Sequence, residues 1–529
     1  MVRDLLDPDG YMWSFDFTSG YHHVELHPDS HQYVAFEWQG KFYCYAVLPF
    51  GLACAPYVFT GFGRELAKRW RQQGMKLIHY LDDFIFFGVS IAGSLAVFLL
   101  QQATVLADLD AAGFLLNWEK SVLQQPIQRL AFLGMGIDSV RGLFYAPQQK
   151  WDSLQARVAA ALKSRRVKVR ALASIAGKVM SLRLALGKAA FMFTREMYFV
   201  VESAARWDAY ISLPPEVISE LQLWADTGAE GFTSAIWDLV VRAFCNLIWT
   251  DAGATGWGGW LAPLGARERL DARGHLSLAE RAESSTLREL VGILKTLQSL
   301  ARFVVGTTVH LHTDSQSAWR ILMKGCSSKA PLHKLAVEIF WWTVHHGVRL
   351  EVSWIPRTLN EYVDYLAGIY DSDDWMLSTY WFEVLDALWG KHTVDRFATD
   401  KNHLLPRFNS RWWCPGTENV NCFLNDDWFQ ENNWCNPPFG LVGQLLRCLI
   451  RHGARATVIC PRWTGRHWWP LLCPDGVHFA PFVVDWRELP TDSIEPLFRP
   501  GAGRANEAAV GPPSFRVLAL RIDGSLGTL

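Results

Sequence analysis

Short apolar runs separated by glycine and proline alternate along the first part of the chain. The runs at 13–17, 76–79 and 84–87 have the length and apolar content of strands. From Trp151 the pattern changes to helical spacing with many basic residues, up to Leu186. This order predicts a strand-rich domain followed by a helical one.

A second strand-rich stretch begins at Leu247 and includes a helical pattern over residues 280–300. An aromatic, acidic connector at 372–389 leads to a stretch, 393–473, that is dense in tryptophan. The chain after Pro500 is rich in Gly, Ala and Pro, which predicts poor order until Phe515. The pattern as a whole predicts a multidomain fold with α/β and α+β parts.

Composition adds few constraints. The chain has 529 residues, of which 50% are hydrophobic and 19% charged, so wholesale disorder is excluded. A formal net charge of −1 neither supports nor excludes nucleic acid as a partner. The uncharged stretch 42–59 contains Pro49, Gly51 and Pro56, so we predict no membrane span. Ten cysteines without a Cys-x-x-Cys pair predict reduced thiols in an intracellular protein, with cytoplasm or nucleus undecided.

Carboxylates cluster at the ends of the first predicted strands. The run Tyr80-Leu81-Asp82-Asp83 lies between two of them, and Asp16 ends a third. A solvated hairpin tip is the alternative interpretation, since Asp is a common turn residue. An acid within a hydrophobic strand is costly unless it is paired or holds a metal. Three carboxylates on neighbouring strands could hold two magnesium ions.

These residues carry a family resemblance. Asp16 followed by Gly20-Tyr21-His22-His23, then Leu48-Pro49-Phe50-Gly51-Leu52 with Ala55-Pro56, then Tyr80-Leu81-Asp82-Asp83, resemble in order and spacing the palm motifs of retroelement reverse transcriptases. Residues 113–120 and Phe132-Leu133-Gly134 resemble the two motifs that follow.

The resemblance implies an RNA template, a DNA primer and deoxynucleoside triphosphates as partners. It also implies roles by position: Asp16, Asp82 and Asp83 as ligands of magnesium or manganese, Tyr21 as the gate against a ribose 2′-hydroxyl, Pro49, Phe50 and Gly51 against the nascent pair, and Lys120 near the triphosphate. Simple core packing is the alternative for Tyr21. The motif at Asp16 begins fifteen residues after Met1, so we expect the fingers region of such enzymes to be missing.

A second set of acids follows strands and lies on a helix farther along the chain. Asp251 and Asp314 end predicted strands, Glu289 lies on the helix between them, and Asp364 follows Asn360-Glu361. Four such acids could build a two-metal site for phosphodiester hydrolysis. The arrangement resembles ribonuclease H, which implies an RNA–DNA hybrid as substrate and these four acids as metal ligands. Glu283 competes with Glu289, which we prefer because Leu287 and Leu290 continue the apolar face of the helix.

The tryptophan-rich region contains Asn436-Pro437-Pro438-Phe439 after a short predicted strand. In motifs of this type the polar side chain accepts from an adenine amino group while the aromatic ring stacks on a flipped base. Together with Asp395-Arg396-Phe397-Ala398, the motif resembles phage-like DNA adenine methyltransferases. That implies S-adenosylmethionine as a possible cofactor and Asn436, Pro437, Pro438 and Phe439 as base-binding residues. An ordinary turn is the alternative.

The three resemblances occur in the order found in DIRS-type retrotransposons, which integrate with a co-encoded tyrosine recombinase. They predict five segments: a reverse transcriptase palm at 1–146, a helical thumb or connection at 147–243, a ribonuclease H-like mixed sheet at 244–372, an α/β methyltransferase-like domain at 390–490 and a tail at 491–529. The predicted function is RNA-directed DNA synthesis with degradation of the RNA strand. Two alternatives stay open, a decayed or domesticated nucleic-acid-binding protein and a DNA adenine methyltransferase with vestigial upstream domains.

Overall fold

The computed structural model describes residues 1–88, 94–229, 231–232, 234–235, 245–262, 269–368, 375–500 and 513–527. It is a mixed α/β chain with two compact units. The first unit comprises Met1–Val241 with Lys324–Cys326, and the second comprises Arg242–Met323 with Ser327–Leu529.

The first unit begins with strands that build two four-stranded sheets. The strands are β1 (Met12–Asp16), β2 (Ala35–Trp38), β3 (Lys41–Cys44), β4 (Lys76–Tyr80), β5 (Asp83–Phe87), β6 (Val122–Ile127), β7 (Arg129–Phe132), β8 (Met135–Asp138) and β9 (Leu143–Tyr145). One sheet, which we call the palm sheet, has the order β4-β5-β1-β6. The other has the order β12-β9-β8-β7, where β12 is Ser234–Ala235. Strands β2 and β3 form a separate hairpin.

The helices of this region are α1 (Val2–Leu5), α2 (Ala55–Gln72) and α3 (Ser94–Ala111), and aromatic rings of β1 pack on α2 and α3. The ring of Trp13 on β1 stacks on Phe86 of β5, with centroids 3.9 Å apart. Helix α2 buries one stripe, Ala55, Phe59, Gly63, Ala67 and Trp70, at the spacing of an amphipathic helix. Strands β1 and β5 are thus buried along their length except at their terminal acids, Asp16 and Asp83, which are partly exposed.

Helices dominate the rest of the first unit. They are α4 (Gln148–Ser164), α5 (Val169–Ser181), α6 (Arg183–Leu186), α7 (Lys188–Met192), α8 (Arg195–Ser203) and α9 (Pro215–Asp226), with the short strand pair β10 (Arg166–Lys168) and β11 (Tyr210–Ser212). The helical stretch expected from Trp151 to Leu186 is therefore divided into the three helices α4, α5 and α6. Pro215 is the first residue of α9, where its missing N–H costs nothing.

The second unit begins with a five-stranded sheet of order β15-β14-β13-β16-β17. Its elements are β13 (Cys245–Ala252), β14 (Gly256–Ala262), β15 (Leu270–His275), α10 (Leu278–Arg281), α11 (Ser285–Ser299), α12 (Ala301–Val304), β16 (Thr308–Thr313), α13 (Gln316–Lys324), α14 (Ala330–His345), β17 (Arg349–Trp354) and α15 (Glu361–Gly368). Strands β13, β16 and β17 are parallel, whereas β14 and β15 are antiparallel to their neighbours. The expected mixed sheet is present.

Glycines in β14 allow helices to approach both faces of this sheet. A Cβ on Gly259 would lie 2.4 Å from Cγ2 of Thr296 in α11. A Cβ on Gly258 would lie 3.0 Å from the carbonyl oxygen of Val363 in α15. The glycine-rich run therefore serves close packing of α11 and α15.

The second unit ends with another five-stranded sheet, of order β19-β22-β23-β26-β24. Its region contains β18 (Trp375–Leu377), α16 (Thr379–Trp389), β19 (Val394–Asp395), β20 (Asn409–Ser410), β21 (Asn419–Val420), β22 (Asn432–Cys435), α17 (Val442–His452), β23 (Arg455–Pro461), α18 (Trp469–Leu472), β24 (Val483–Leu489), β25 (Phe498–Pro500) and β26 (Val517–Asp523). Strands β19, β22 and β23 are parallel, and β26 pairs antiparallel with β23 and β24.

Two expectations differ from this arrangement. The segment 491–529 is not a separate tail, because β26 lies inside the C-terminal sheet with Val517, Leu518, Ala519 and Leu520 buried. A nearly continuous apolar run is the pattern of a strand covered on both faces. The connector 372–389 contributes β18 and α16, and its residues 372–374 lie outside the described ranges. No helix in the described part of the chain is long and apolar enough to cross a membrane.

Candidate active sites

The palm sheet brings the first acids to one end of two neighbouring strands. Strands β1 and β5 are antiparallel, and their register places Asp16 directly opposite Asp83. Opposite residues of an antiparallel pair project from the same face. Asp82 lies in the two-residue turn between β4 and β5, where Leu81 takes a left-handed φ of 55°. The three acids therefore share one edge of the sheet.

The charges at this edge are mutually unfavourable. Burial, followed by the nearby charges of Asp82 and Asp16, raises the pKa of Asp83 to about 6. Burial and Asp82 also raise the pKa of Asp16, against the opposing effect of Lys120. The Nζ atom of Lys120 lies 3.6 Å from Oδ2 of Asp16. Partly buried carboxylates that repel one another form an oxygen donor set suited to a divalent cation.

The residues expected to contact substrate lie beside these acids. Tyr21 is half-buried in a 3₁₀ helix, Gly20–His23, and its ring centroid lies 5.0 Å from that of Phe50 and 5.5 Å from that of Phe59. Pro49 is buried, whereas Phe50 is 62% exposed. A backbone bond from Leu48 N–H to Val24 O holds this turn next to the 3₁₀ helix.

Two glycines permit this local geometry. Gly51 has a φ of +88°, which explains a glycine at that turn. A Cβ on Gly20 would lie 2.9 Å from Cζ of Phe59 and 3.5 Å from Cβ of Asp82. Gly20 therefore allows the 3₁₀ helix that carries Tyr21 to lie close to the acidic turn.

The second set of acids is more compact. Asp251 lies on β13, Asp314 follows β16, and Glu289 faces them from α11. One carboxylate oxygen from each of the three lies within 4.8 Å of those of the other two. Among the described residues, these three are the group of acidic, His or Cys side chains found close enough together to hold a metal ion. Because β13 and β16 are parallel neighbours, their carboxyl ends meet at one edge. This explains why acids far apart in the sequence converge.

This triad fits a metal ion by its charge and its unsatisfied atoms. Burial, then the charges of Asp251 and Asp314, raises the pKa of Glu289 to about 9. Burial and Asp314 raise the pKa of Asp251 to about 6. Oε2 of Glu289 is buried without a hydrogen-bond partner, which is costly unless a proton or a cation occupies it. A hard divalent cation would remove these penalties together.

The fourth predicted acid is oriented differently. The Asp364 side chain is 47% exposed and accepts a hydrogen bond of 3.0 Å from Nη2 of Arg357. Asp364 still contributes to the raised pKa of Asp251, so it lies near the triad without belonging to it. The rival acid Glu283 is exposed, whereas Glu289 points toward Asp251.

Supporting residues hold the triad in place. Asn360 is 1% exposed, and its Nδ2 donates to the carbonyl oxygen of Thr250, next to Asp251. The indole N–H of Trp354 donates to the backbone oxygen of Asp314. Asn360 is identified by the sequence pattern, whereas Trp354, the last residue of β17, and Arg357, the first residue of the 3₁₀ turn Arg357–Leu359, carry no motif that would indicate their roles.

Substitution Glu289→Gln should change how stability depends on pH. The folded protein keeps a proton on Glu289 that the unfolded chain releases near pH 4.5, so without metal its stability falls as pH rises from there toward about 9. The transition to follow is the thermal unfolding transition whose midpoint shifts when magnesium is added. Measured in chelator from pH 5 to 9, this midpoint should fall less steeply with pH in the variant than in the wild-type protein. The exposed Glu283→Gln is the matched control and should keep the wild-type slope. An unchanged slope in Glu289→Gln would contradict the buried protonated carboxyl.

The third candidate lies at the carboxyl edge of the parallel strands β19, β22 and β23. Asn436 and the buried Pro437 follow β22 directly. Exposed Pro438 leads to Phe439, whose ring lies 5.3 Å from Trp463 and 5.6 Å from Phe515. These three rings form an aromatic cluster beside the motif.

Other residues of that region have structural partners. Both carboxylate oxygens of the buried Asp395 accept backbone N–H groups, from Phe397 and Leu404. The buried Arg396 pairs with Asp427 at 2.9 Å, donates to Asn409 and Asn433, and stacks over Trp428. The motif that begins at Asp395 therefore includes a buried structural cluster.

Comparison with known proteins identifies the class of the first domain. Residues 5–137 match the family model described as reverse transcriptase (RNA-dependent DNA polymerase). This part of the chain, which contains the palm sheet and its three acids, is therefore a reverse transcriptase domain. The first of the three resemblances is confirmed, and the DIRS-type, ribonuclease H and methyltransferase assignments stay predictions.

Viral polyproteins are among the relatives. The chain is 29% identical over 128 residues to a putative enzymatic polyprotein of Cassava vein mosaic virus, which covers 24% of this chain and 18% of that protein. It is 30% identical over 149 residues to the Pro-Pol polyprotein of Feline foamy virus, covering 28% and 12% respectively. The chain thus aligns with less than a fifth of the length of these curated relatives.

Two solved structures that align with part of this chain come from foamy virus. The foamy viral protease-reverse transcriptase dRH in complex with double-stranded DNA aligns with a TM-score of 0.39 at 16% identity, covering 66% of this chain and 58% of that one. The foamy viral protease-reverse transcriptase in complex with RNA/DNA hybrid aligns with a TM-score of 0.38 at 17% identity, covering 72% and 48%.

Proposed function

We propose that this chain is an RNA-directed DNA polymerase that also hydrolyses the RNA strand of an RNA–DNA hybrid. The observation that carries the second activity is the compact triad of Asp251, Glu289 and Asp314 at the edge of a mixed sheet. The family match over residues 5–137 supports the first activity. We also propose that the chain is part of a DIRS-type retrotransposon polyprotein, whose domain order it would share.

In the proposed polymerase site, the chain positions the substrates. Asp16, Asp82 and Asp83 would hold magnesium or manganese, which supplies activation of the primer hydroxyl and charge neutralisation at the leaving pyrophosphate. Phe50 offers an exposed ring next to Tyr21, so an incoming base pair would rest on Phe50 while Tyr21 limits the space at the sugar. The ammonium group of Lys120 lies close to the Asp16 carboxylate. When a triphosphate binds, this ammonium group would leave the carboxylate and pair with a triphosphate oxygen instead.

In the proposed nuclease site, Asp251, Glu289 and Asp314 would hold the divalent cation. Asn360 and Trp354 keep the backbone next to Asp251 and Asp314 in position. Arg357 is exposed beside the site, where its guanidinium suits contact with the phosphate backbone of a hybrid. If Arg357 gives up its hydrogen bond to Asp364 and contacts a phosphate of the hybrid, the Asp364 carboxylate would become available as a further metal ligand.

The test uses the full chain with magnesium in two assays. Extension of a DNA primer on an RNA template reports the first site, and cleavage of labelled RNA in a preformed hybrid reports the second. Cleavage of hybrid RNA with no cleavage of the same RNA alone is the expected result. A folded protein with neither activity would favour the decayed or domesticated nucleic-acid-binding alternative.

One observation favours a second candidate activity, methyl transfer from S-adenosylmethionine to adenine by residues 390–490. The motif that starts at Asn436 follows the middle one of three parallel strands, and the Phe439, Trp463 and Phe515 rings lie beside it. Crevices at the carboxyl ends of parallel strands are common ligand sites. Titration calorimetry of the full chain with S-adenosylmethionine tests this candidate, and the absence of binding would remove it.

A further inference from the structure

A line of aromatic side chains leads from the polymerase acids across the β2–β3 hairpin. Ring centroids of Tyr21 and Phe50 are 5.0 Å apart, those of Phe50 and His22 are 5.2 Å apart, and those of His22 and Tyr45 are 6.5 Å apart. The series continues from Tyr45 to Phe36 at 5.2 Å and from Phe36 to Tyr43 at 5.6 Å. We call Tyr21, Phe50, His22, Tyr45, Phe36 and Tyr43 the aromatic row.

The outer part of the row is open to solvent. Every residue of β2 and β3 is exposed, including Phe36 at 43% and Tyr43 at 45%. Phe36 and Tyr43 are direct cross-strand partners, as are Trp38 and Lys41, so these four side chains lie on one face. A two-stranded hairpin with both faces exposed has little stability of its own. A ligand on this face would stabilise it.

The chemistry of this face favours nucleobases over an apolar protein surface. Six of the fourteen residues from Tyr33 to Ala46 are aromatic, while Leu, Ile and Met are absent from that stretch. Aromatic rings stack on any base, so a row of them binds single strands without sequence preference. Lys41 adds a positive charge on the same face for a backbone phosphate, whereas Glu37 lies on the opposite face with Phe42.

The aromatic row is continuous with the polymerase site. The inner end of the row is Tyr21, next to Gly20 and the turn that carries Asp82. We propose that the aromatic row is the stacking path for the unpaired template strand before it enters the polymerase site. The inference rests on the proposed polymerase function and adds a defined surface for one of its substrates.

The test is a binding comparison with the full chain in chelator, so that neither site turns over. Fluorescence anisotropy gives dissociation constants for a blunt hybrid and for the same hybrid with an RNA overhang of about eight nucleotides. We expect the overhang to tighten binding at least about tenfold, because each stacked base contributes measurably to affinity. The double variant Phe36→Leu with Tyr43→Leu should lose this gain and still bind the blunt hybrid.

Three controls make the result specific to stacking. Phe42→Leu removes an exposed ring from the other face of the same hairpin and should keep the gain. The double variant Phe36→Trp with Tyr43→Trp should have the gain, and an abasic overhang should lose it with the wild-type protein. Thermal unfolding verifies that each variant is folded.

The outcomes separate this inference from the function on which it rests. A wild-type protein that gains nothing from the overhang, or a double variant that keeps the full gain, would overturn the stacking path. If the double variant keeps the gain but changes the oligomeric state in sedimentation, the row is a protein interface and the inference is wrong. Failure to bind even the blunt hybrid would instead count against the proposed function.

Discussion

Substitution Asp314→Asn should abolish cleavage of hybrid RNA while primer extension continues. The change keeps the size of the side chain and removes one of the three anionic ligands of the triad. Metal-assisted charge stabilisation contributes several kcal/mol to such reactions, so we expect a rate loss of about a thousandfold or more. Single-turnover cleavage of labelled RNA in a hybrid measures it, with primer extension by the same preparation as the second readout.

The matched control for this experiment is Glu338→Gln, an exposed acid on α14 of the same unit. It changes the net charge equally and should leave cleavage at the wild-type rate. Cleavage by Asp314→Asn at the wild-type rate would show that the activity comes from another site or from a contaminating nuclease. Loss of both activities would indicate misfolding, which thermal unfolding of the variant identifies.

Substitution Asp83→Asn should have the opposite effect. Asp83 faces Asp16 across the antiparallel pair. Burial and the neighbouring carboxylates of Asp82 and Asp16 raise its pKa, and a divalent cation would neutralise their charges. Loss of this ligand should lower primer extension by about a thousandfold or more, while hybrid cleavage stays within about twofold of wild type. Gel-resolved extension of a labelled primer on RNA, with magnesium and then with manganese, measures it.

Asp110→Asn is the matched control, because Asp110 is an exposed acid at the end of α3 in the same unit. It should extend the primer like the wild-type protein. Extension that survives in Asp83→Asn would remove this residue from the polymerase site. A parallel loss in Asp110→Asn would show that net charge, and not the ligand position, governs the assay.

The palm site could be predicted because its information is local. A strand that ends in Asp16 and a hairpin turn with Asp82 and Asp83 are short motifs, and the strands that carry them pair directly in one sheet. The triad of the second unit could be predicted for the same reason, since each acid is next to a strand end or an apolar helix face. The structure brings three of those four acids together.

The remaining features depend on long-range packing. Nothing in the sequence shows that Arg357, and not the triad, would hold Asp364, because the choice depends on side-chain direction at the start of α15. The sequence does not indicate β26, because its partners β23 and β24 both end before the Gly-, Ala- and Pro-rich stretch that follows Pro500. The sequence does not indicate the buried cluster around Arg396 either, since it is completed by two asparagine side chains from separate strands, Asn409 of β20 and Asn433 of β22.

The position of β26 also determines when the C-terminal sheet can form during synthesis. Strands β23 and β24 leave the ribosome first, but neither has its shared neighbour until Val517–Asp523 has followed. Until then β23 presents an open strand edge, which is a template for pairing with other chains. A premature stop upstream of Val517 would therefore leave a nascent product that depends on chaperones, although every proposed catalytic acid had already been translated.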